Sequence, residues 1–263
     1  MGTGVIGMWL AGSLWSASAL PLLLWLTLPF NLLIYGINDL FDRDTDDANP
    51  RKGSIEGARI TAADVPLIVR GVIVTNLPFL AYFFVVLPAS ASVWIVLYTV
   101  VFIGYSVPPL RFKARPVLDS FSNAAYAFPL VIVPLAMGRP VLWWAAFGLM
   151  TWSAAKHTFD AVQDIDEDAR AGLKTTAVML RERGVVWWCG VLWAIATFAF
   201  AQVNTPVALV NAVLAGMLVA ALALRPTTAT GQRLYRYSIA FPYVAGTAAG
   251  IQLVAALVHG SYP

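Results

Sequence analysis

Apolar runs about 20 residues long alternate with short polar ones along this chain, and the length of the apolar runs is the first constraint on what it is. A helix needs roughly 20 mostly apolar residues to cross the hydrocarbon core of a bilayer. Runs of that kind cover residues 17–38, 64–87, 91–106, 117–137, 140–160, 184–203, 206–224 and 236–258, which predicts eight membrane-spanning helices. Residues 1–12 are apolar but too short to cross. Several runs are separated only by tight turns, "PASAS" at 88–92, "GRP" at 138–140 and "NTP" at 204–206, so consecutive spans are expected to pair as helical hairpins. No linker is long enough to divide the chain. The expected fold is all-α, one polytopic membrane bundle over residues 1–263.

Composition narrows the classes. The chain is 59% hydrophobic and 12% charged, whereas soluble domains carry about 25% charged residues, so its main solvent is lipid. The single cysteine, Cys189, lies in "VVWWCGVLWAI" and reads as a small buried hydrophobe, with no intramolecular disulfide possible. The start "MGTGVIGMWLAGSLW" lacks the charged segment of a cleavable signal, and Ile6 breaks the myristoylation pattern.

The placement of charge says more than its net value of +3. Of 17 Lys and Arg, 14 fall in the connections 39–63, 107–116, 161–183 and 225–236. These are alternate connections and lie on one side, which the positive-inside rule makes cytoplasmic. All 14 acidic residues belong to that side, counting Asp119 and Asp160 at helix ends. The expectation is a multi-pass cell-membrane protein working at its cytoplasmic face, with no nucleic-acid partner. A divalent-cation transporter would place acids at mid-bilayer in both halves of a repeat. The one-sided charge favours an enzyme drawing a charged substrate from the cytoplasm.

Two acidic segments then stand out. "NDLFDRDTDD" puts five carboxylates within residues 39–47, directly after a span. Asn38, Asp42 and Asp46 step by four and share one face if the helix continues past the membrane edge, with Asp39 next round. "DAVQDIDED" repeats the step with Asp160, Asp164 and Asp168. Like charges at that spacing destabilise a helix unless a counter-ion sits between them. Two such ladders facing each other form a cage of hard oxygens suited to Mg2+ held with a phosphate-bearing substrate. Cations follow each ladder, Arg51 and Lys52 after the first and Arg170 and Lys174 after the second, while Arg111 and Lys113 lie in the Pro-stiffened "YSVPPLRFKARP". Mg2+ with several cations suits a diphosphate leaving group, whose bridging oxygen gains charge as its bond to carbon breaks. Lys156 and His157, just before Asp160 in sequence, and Tyr105, at the end of its span, are further candidates for diphosphate contact or proton steering. Trp143, Trp144, Trp152, Trp187, Trp188 and Trp193 either line an apolar groove or serve as packing and interface anchors.

"NDLFDRDTD" resembles the NDxxDxxxD signature of the UbiA superfamily of intramembrane prenyltransferases, and "DAVQDIDED" resembles its second, DxxxD-type motif. The resemblance covers nearly the whole chain and implies that family's nine-helix fold, with residues 1–12 as a shortened first helix. It implies that Asn38, Asp42 and Asp46, with Asp160, Asp164 and Asp168, hold Mg2+ against an allylic diphosphate. The donor ionises, and its cation is attacked by an acceptor in a lipid-accessible cavity. "YGINDLFDRDTDDANPRKGSIEGA" with "YSVPPLRFKARPVLDS" is similar to the lycopene elongases of C50 carotenoid pathways, where dimethylallyl diphosphate is the donor and lycopene the acceptor. Within the superfamily, an aromatic or quinone precursor, chlorophyllide or a glyceryl phosphate are the alternative acceptors. Oligomeric state is left open.

Overall fold

The computed structural model describes residues 1–46 and 60–259, the side chains of 44–46 excepted. Its helices are α1 (Gly2–Leu10), α2 (Leu20–Trp25), α3 (Leu28–Asp46), α4 (Val65–Val86), α5 (Ala89–Ser106), α6 (Leu118–Ser122), α7 (Pro129–Ala136), α8 (Trp143–Asp160), α9 (Ile165–Arg170), α10 (Thr176–Ala201), α11 (Thr205–Leu224) and α12 (Thr228–His259). Short 3-10 segments join them at Phe112–Ala114, Asn123–Ala127 and Ala161–Asp164. No strand occurs among the described residues.

Seven helical stretches are long and apolar enough to cross a bilayer among the described residues, counting α2 with α3 and α6 with α7 as one each. The eighth expected span, 140–160, is helical as α8, but its last two turns carry Lys156, His157 and Asp160 and it is not among the seven. Two expected boundaries move. Helix α10 begins at Thr176 instead of 184, with Arg181 at φ 55°, ψ 175° marking a kink inside it, and α12 begins at Thr228 instead of 236. Both extensions are too polar to register as lipid-embedded, yet they pack against each other and against α9 at the charged end.

Lipid tails are as apolar as leucine, so packing and polar contacts, more than the hydrophobic effect, hold such helices together. The two halves do this differently. Around α2 to α5 the contacts are aromatic: Trp25, Phe30, Phe83, Tyr98 and Phe102 form one ring cluster, with Phe30 stacked on Tyr98 at 4.2 Å between centroids. Trp25 Nε1 donates to Asn76 Oδ1 (2.9 Å), and Asn76 Nδ2 donates to the Pro29 carbonyl (2.8 Å), so a fully buried amide ties α4 across the break between α2 and α3. In the other half α8 packs against α10, α10 against α11, and α11 against α12. There small residues, Ala154, Ala155, Cys189 and Ala215, let the backbones approach. Cys189 is buried as expected, its thiol directed at the Ala155 carbonyl (3.3 Å).

Candidate active site

Helix α3 runs unbroken from its apolar part to Asp46, so the backbone sites of Asn38, Asp42 and Asp46 share one face. The Asp46 side chain, Arg51 and Lys52 lie outside the described residues. Two neighbours fix the first ladder. Ser106, the last residue of α5, donates to Asn38 Oδ1 (2.8 Å). Lys113 Nζ donates to the same oxygen (3.4 Å) and forms an ion pair with Asp42. Lys113 reaches there because the 107–114 loop folds back over α5 at Gly104. A Cβ on Gly104 would lie 2.8 Å from Leu110 Cδ1 and 3.0 Å from Phe112 Cε2, so those side chains would have to shift to admit it. Arg111 is half-buried in the left-handed region (φ 39°) and caps the same 3-10 segment.

The second ladder is not a ladder in three dimensions. After Asp160 the chain tightens into the 3-10 segment Ala161–Asp164 before α9. Four residues advance about 40° beyond a full turn in an α-helix but about 120° in a 3-10 helix. The single face expected for Asp160, Asp164 and Asp168 is therefore broken, and Asp160 is the residue that departs. Its Oδ1 accepts from Ser238 of α12 (2.6 Å) and its Oδ2 pairs with Lys156. Asp164 and Asp168 stay together, within electrostatic reach of each other. Burial first, then Asp164 and Glu167 alongside, push the Asp168 carboxyl up to about 6 against the lowering influence of the Thr175 hydroxyl. The exposed Asp166 instead pairs with Arg181 (3.4 Å) and accepts from Thr228 (3.1 Å). Arg170 and Lys174 are exposed on α9 and the loop after it.

Tyr105 is where the two segments meet. Asp42 of one and Asp168 of the other are both electrostatic neighbours of its hydroxyl, with Asp119 and Asn123 beside them. Its ring stands edge-on to His157 of α8, 6.1 Å between centroids. Sequence reasoning passed over the residues that hold this arrangement. Asp119 is fully buried, accepts from the Thr176 backbone N–H (2.8 Å) and from its hydroxyl, and so anchors the start of α10 to α6. Val117 enters that junction at φ 72°, unusual for a β-branched residue, with its N–H donating to Thr176 Oγ1 (2.7 Å). The available signal was an aspartate next to a helix start, which reads as an end charge until its partner is seen.

Behind Tyr105 and His157 lies a cavity of about 720 Å³, walled mostly by apolar side chains such as Ile6, Leu130, Leu149 and Trp152. It follows α8 from Asp160 to Ala145, about 22 Å at the helical rise. Helix α1 supplies Ile6, Trp9 and Leu10 to the wall, so the short first helix still serves as one side of the groove. Of the six tryptophans considered for this groove only Trp152 lines it. Trp193 is buried in the α8–α12 core, Trp188 packs on Phe121, and Trp143, Trp144 and Trp187 face outward.

A metal fits part of this geometry. Among the described residues no three His, Cys, Asp or Glu side chains are close enough to hold an ion by themselves. Mg2+ does not need that, since it binds through one or two carboxylates plus water and substrate phosphates. Asp42 and Asp168, both neighbours of Tyr105, with Asn38 joined to Asp42 through Lys113 and Asp164 beside Asp168, offer oxygen donors of the required kind.

A family model described as the UbiA prenyltransferase family matches residues 1–255. The chain belongs to the UbiA prenyltransferase family. It is therefore a prenyltransferase, and the one-ended charge belongs to an enzyme. The fold agrees with solved UbiA homologues. The apo structure of one from Aeropyrum pernix K1 superposes with a TM-score of 0.73 at 16% identity, over 96% of both chains. One from Archaeoglobus fulgidus, bound to DMAPP and Mg2+, superposes with a TM-score of 0.62 at 19% identity, over 94% of both chains. Among curated relatives, the lycopene elongase/hydratase of Haloferax volcanii is 37% identical over 213 residues, covering 77% of this chain and 68% of that protein.

Proposed function

We infer that this prenyltransferase moves a dimethylallyl group from its diphosphate to an end of lycopene, in the manner of a lycopene elongase. The observation that carries the reading is the junction at Tyr105, which has carboxylates of both acidic segments as electrostatic neighbours and whose ring meets His157, a wall residue of an apolar cavity that follows α8 for about 22 Å. Such a site takes a charged donor at one end and a long hydrocarbon at the other. The named relative with 37% identity, and the DMAPP and Mg2+ in the Archaeoglobus fulgidus homologue, support the same pairing of substrates.

Asn38, Asp42, Asp46, Asp164 and Asp168 are the residues assigned to Mg2+, with Asp39 beside them. Bound there, Mg2+ supplies positive charge to the diphosphate oxygens. Lys113 and Arg111 are assigned to the diphosphate directly, with Arg51, Lys52, Lys174 and Tyr105 around it. As the carbon–oxygen bond of the donor breaks, negative charge grows on the leaving oxygen, and the Lys113 ammonium, paired with Asp42, is the cation assigned to offset it. Tyr105 and His157 stand between that charge and the cavity, so the allylic cation forms against ring faces and edges and away from bulk water. The acceptor alkene then gives its π electrons to the cation. The charged end is assigned to the cytoplasm, because 14 of the 17 Lys and Arg lie there. The test is to express the chain in a lycopene-making host and weigh the extracted pigments. C45 and C50 products are expected; unchanged lycopene with folded protein in the membrane overturns the acceptor.

A further inference from the structure

Asp160 is out of place for a metal ligand and well placed for something else. The 3-10 turn after it separates it from Asp164 and Asp168, and its two partners are Ser238 and Lys156, not another carboxylate. Its side chain is 25% exposed and lines the apolar cavity, where among the described lining residues it is the one carboxylate. A charged pair inside a membrane protein is costly and persists where it has work to do. A hydrocarbon acceptor gives it nothing to bind in the ground state. The product of prenyl transfer does: a tertiary carbocation, formed in this cavity, that has to be discharged.

We propose that Asp160, held by Lys156 and Ser238, binds and deprotonates the water that discharges the product cation. This rests on lycopene being the acceptor. The donor C1–O bond breaks with its electron pair leaving on the diphosphate, and the acceptor π pair forms the new C–C bond, leaving a tertiary cation on the acceptor. A lone pair of the water oxygen forms a C–O bond to that carbon, and one water proton passes to an Asp160 oxygen. The product is a tertiary alcohol. A carboxylate offers about four lone-pair positions, and Ser238 and Lys156 use two, so acceptor sites remain toward the cavity. Lys156 and Ser238 are positioning residues. The competing outcome is loss of a proton from the carbon next to the cation, which gives an alkene with no oxygen added.

The test compares products that differ by one water. Membranes containing the full chain are given lycopene, dimethylallyl diphosphate and Mg2+, and hydroxylated and unsaturated prenylated products are separated and weighed. Wild type should form mainly the hydroxylated product. In Asp160→Asn the ratio of hydroxylated to unsaturated product should fall at least about tenfold, the effect of losing one hydrogen bond to a charged group. A residue that merely packs would lower total turnover and leave the ratio alone. If Asp160→Asn loses all turnover, Ser238→Ala decides, since it keeps the carboxylate and its lysine but frees one oxygen. Its ratio must shift in the same direction. No conversion by wild type overturns the acceptor and this proposal together. Conversion by wild type without hydroxylated product, or with an unchanged ratio in the deciding variant, overturns this proposal alone.

Discussion

In α3 the helix that crosses the apolar layer continues without interruption to Asp46, whereas α8 stops at Asp160 and the chain turns through a 3-10 segment before α9. Each stretch repeats a step of four, Asn38, Asp42 and Asp46 on the first and Asp160, Asp164 and Asp168 on the second. On the first, the pattern survives as a face. On the second it is divided, with Asp168 a neighbour of Tyr105 and of Asp164, and Asp160 lining the cavity. Spacing in sequence thus describes a face only while the helix type is constant. The 3-10 turn packs against α12. A Cβ on Gly231 would lie 2.6 Å from Val162 Cγ1 and 3.1 Å from the Gln163 backbone nitrogen, so α12 meets the turn at a glycine, backbone close to backbone.

The sharpest way to test the comparison is to remove one carboxylate from each segment. Asp42→Asn and Asp164→Asn should each lower kcat by at least about a hundredfold, as expected when a cation that offsets leaving-group charge is weakened. Expression and membrane insertion should be unaffected. Wild-type rates in either variant at low Mg2+ would remove that residue from the cation site.

Lys113→Ala should raise the donor KM by about tenfold with a smaller loss of kcat, the pattern of a contact present before and during bond breaking. Lys113→Arg should restore little, because a planar fork and a point charge hold phosphate differently. Steady-state kinetics with varied donor distinguish these cases, and an unchanged KM in the alanine variant would confine Lys113 to holding Asp42.

The two segments should also differ in pH response. The Asp168 carboxyl, pushed up to about 6, is protonated below that value and must lose its proton before it can meet a cation. Mg2+ affinity should therefore fall as pH drops through about 6, by about tenfold per unit for a single proton. Calorimetric titration of purified protein with Mg2+ at two pH values on either side of 6 measures this. In Asp168→Asn the dependence between those values should flatten; a slope that persists would place its origin elsewhere.

The smallest effect concerns the backbones. Arg181 in α10 adopts φ and ψ values that suit glycine almost alone, and its pair with Asp166 is exposed. Arg181→Gly should be stabilising by about 1 kcal/mol, since relieved strain of that order exceeds a surface ion pair. Arg43→Gly, in the continuous α3, should be destabilising by about 1 kcal/mol. Thermal unfolding in detergent reads both signs, and equal signs would mean that the two backbones are not so different.

How much of this the chain announced follows from the same physics. Spans, one-sided charge and the first motif are local properties and were readable, because a bilayer imposes length and polarity residue by residue. The division of the second motif was not, since the turn that divides it packs against Gly231, about 70 positions away. The meeting of Tyr105 with His157, and the hold of Asp119 on Thr176, likewise depend on which helices are neighbours. Tryptophan content left groove lining and packing both open, and only the fold decided that Trp152 lines the cavity and Trp193 packs in the core.

Lys113 parked on Asp42 has a consequence for the order of events. The pair is locally neutral, so either ligand arriving alone upsets the balance: a bare cation meets the ammonium, and a bare diphosphate meets the carboxylate. On the proposed function, the two arriving together would each find a counterpart as the pair opens, the metal at Asp42 and the phosphate oxygens at Lys113. Kinetically, that would make the metal–diphosphate complex the true substrate, and free diphosphate or excess free cation an inhibitor of its entry.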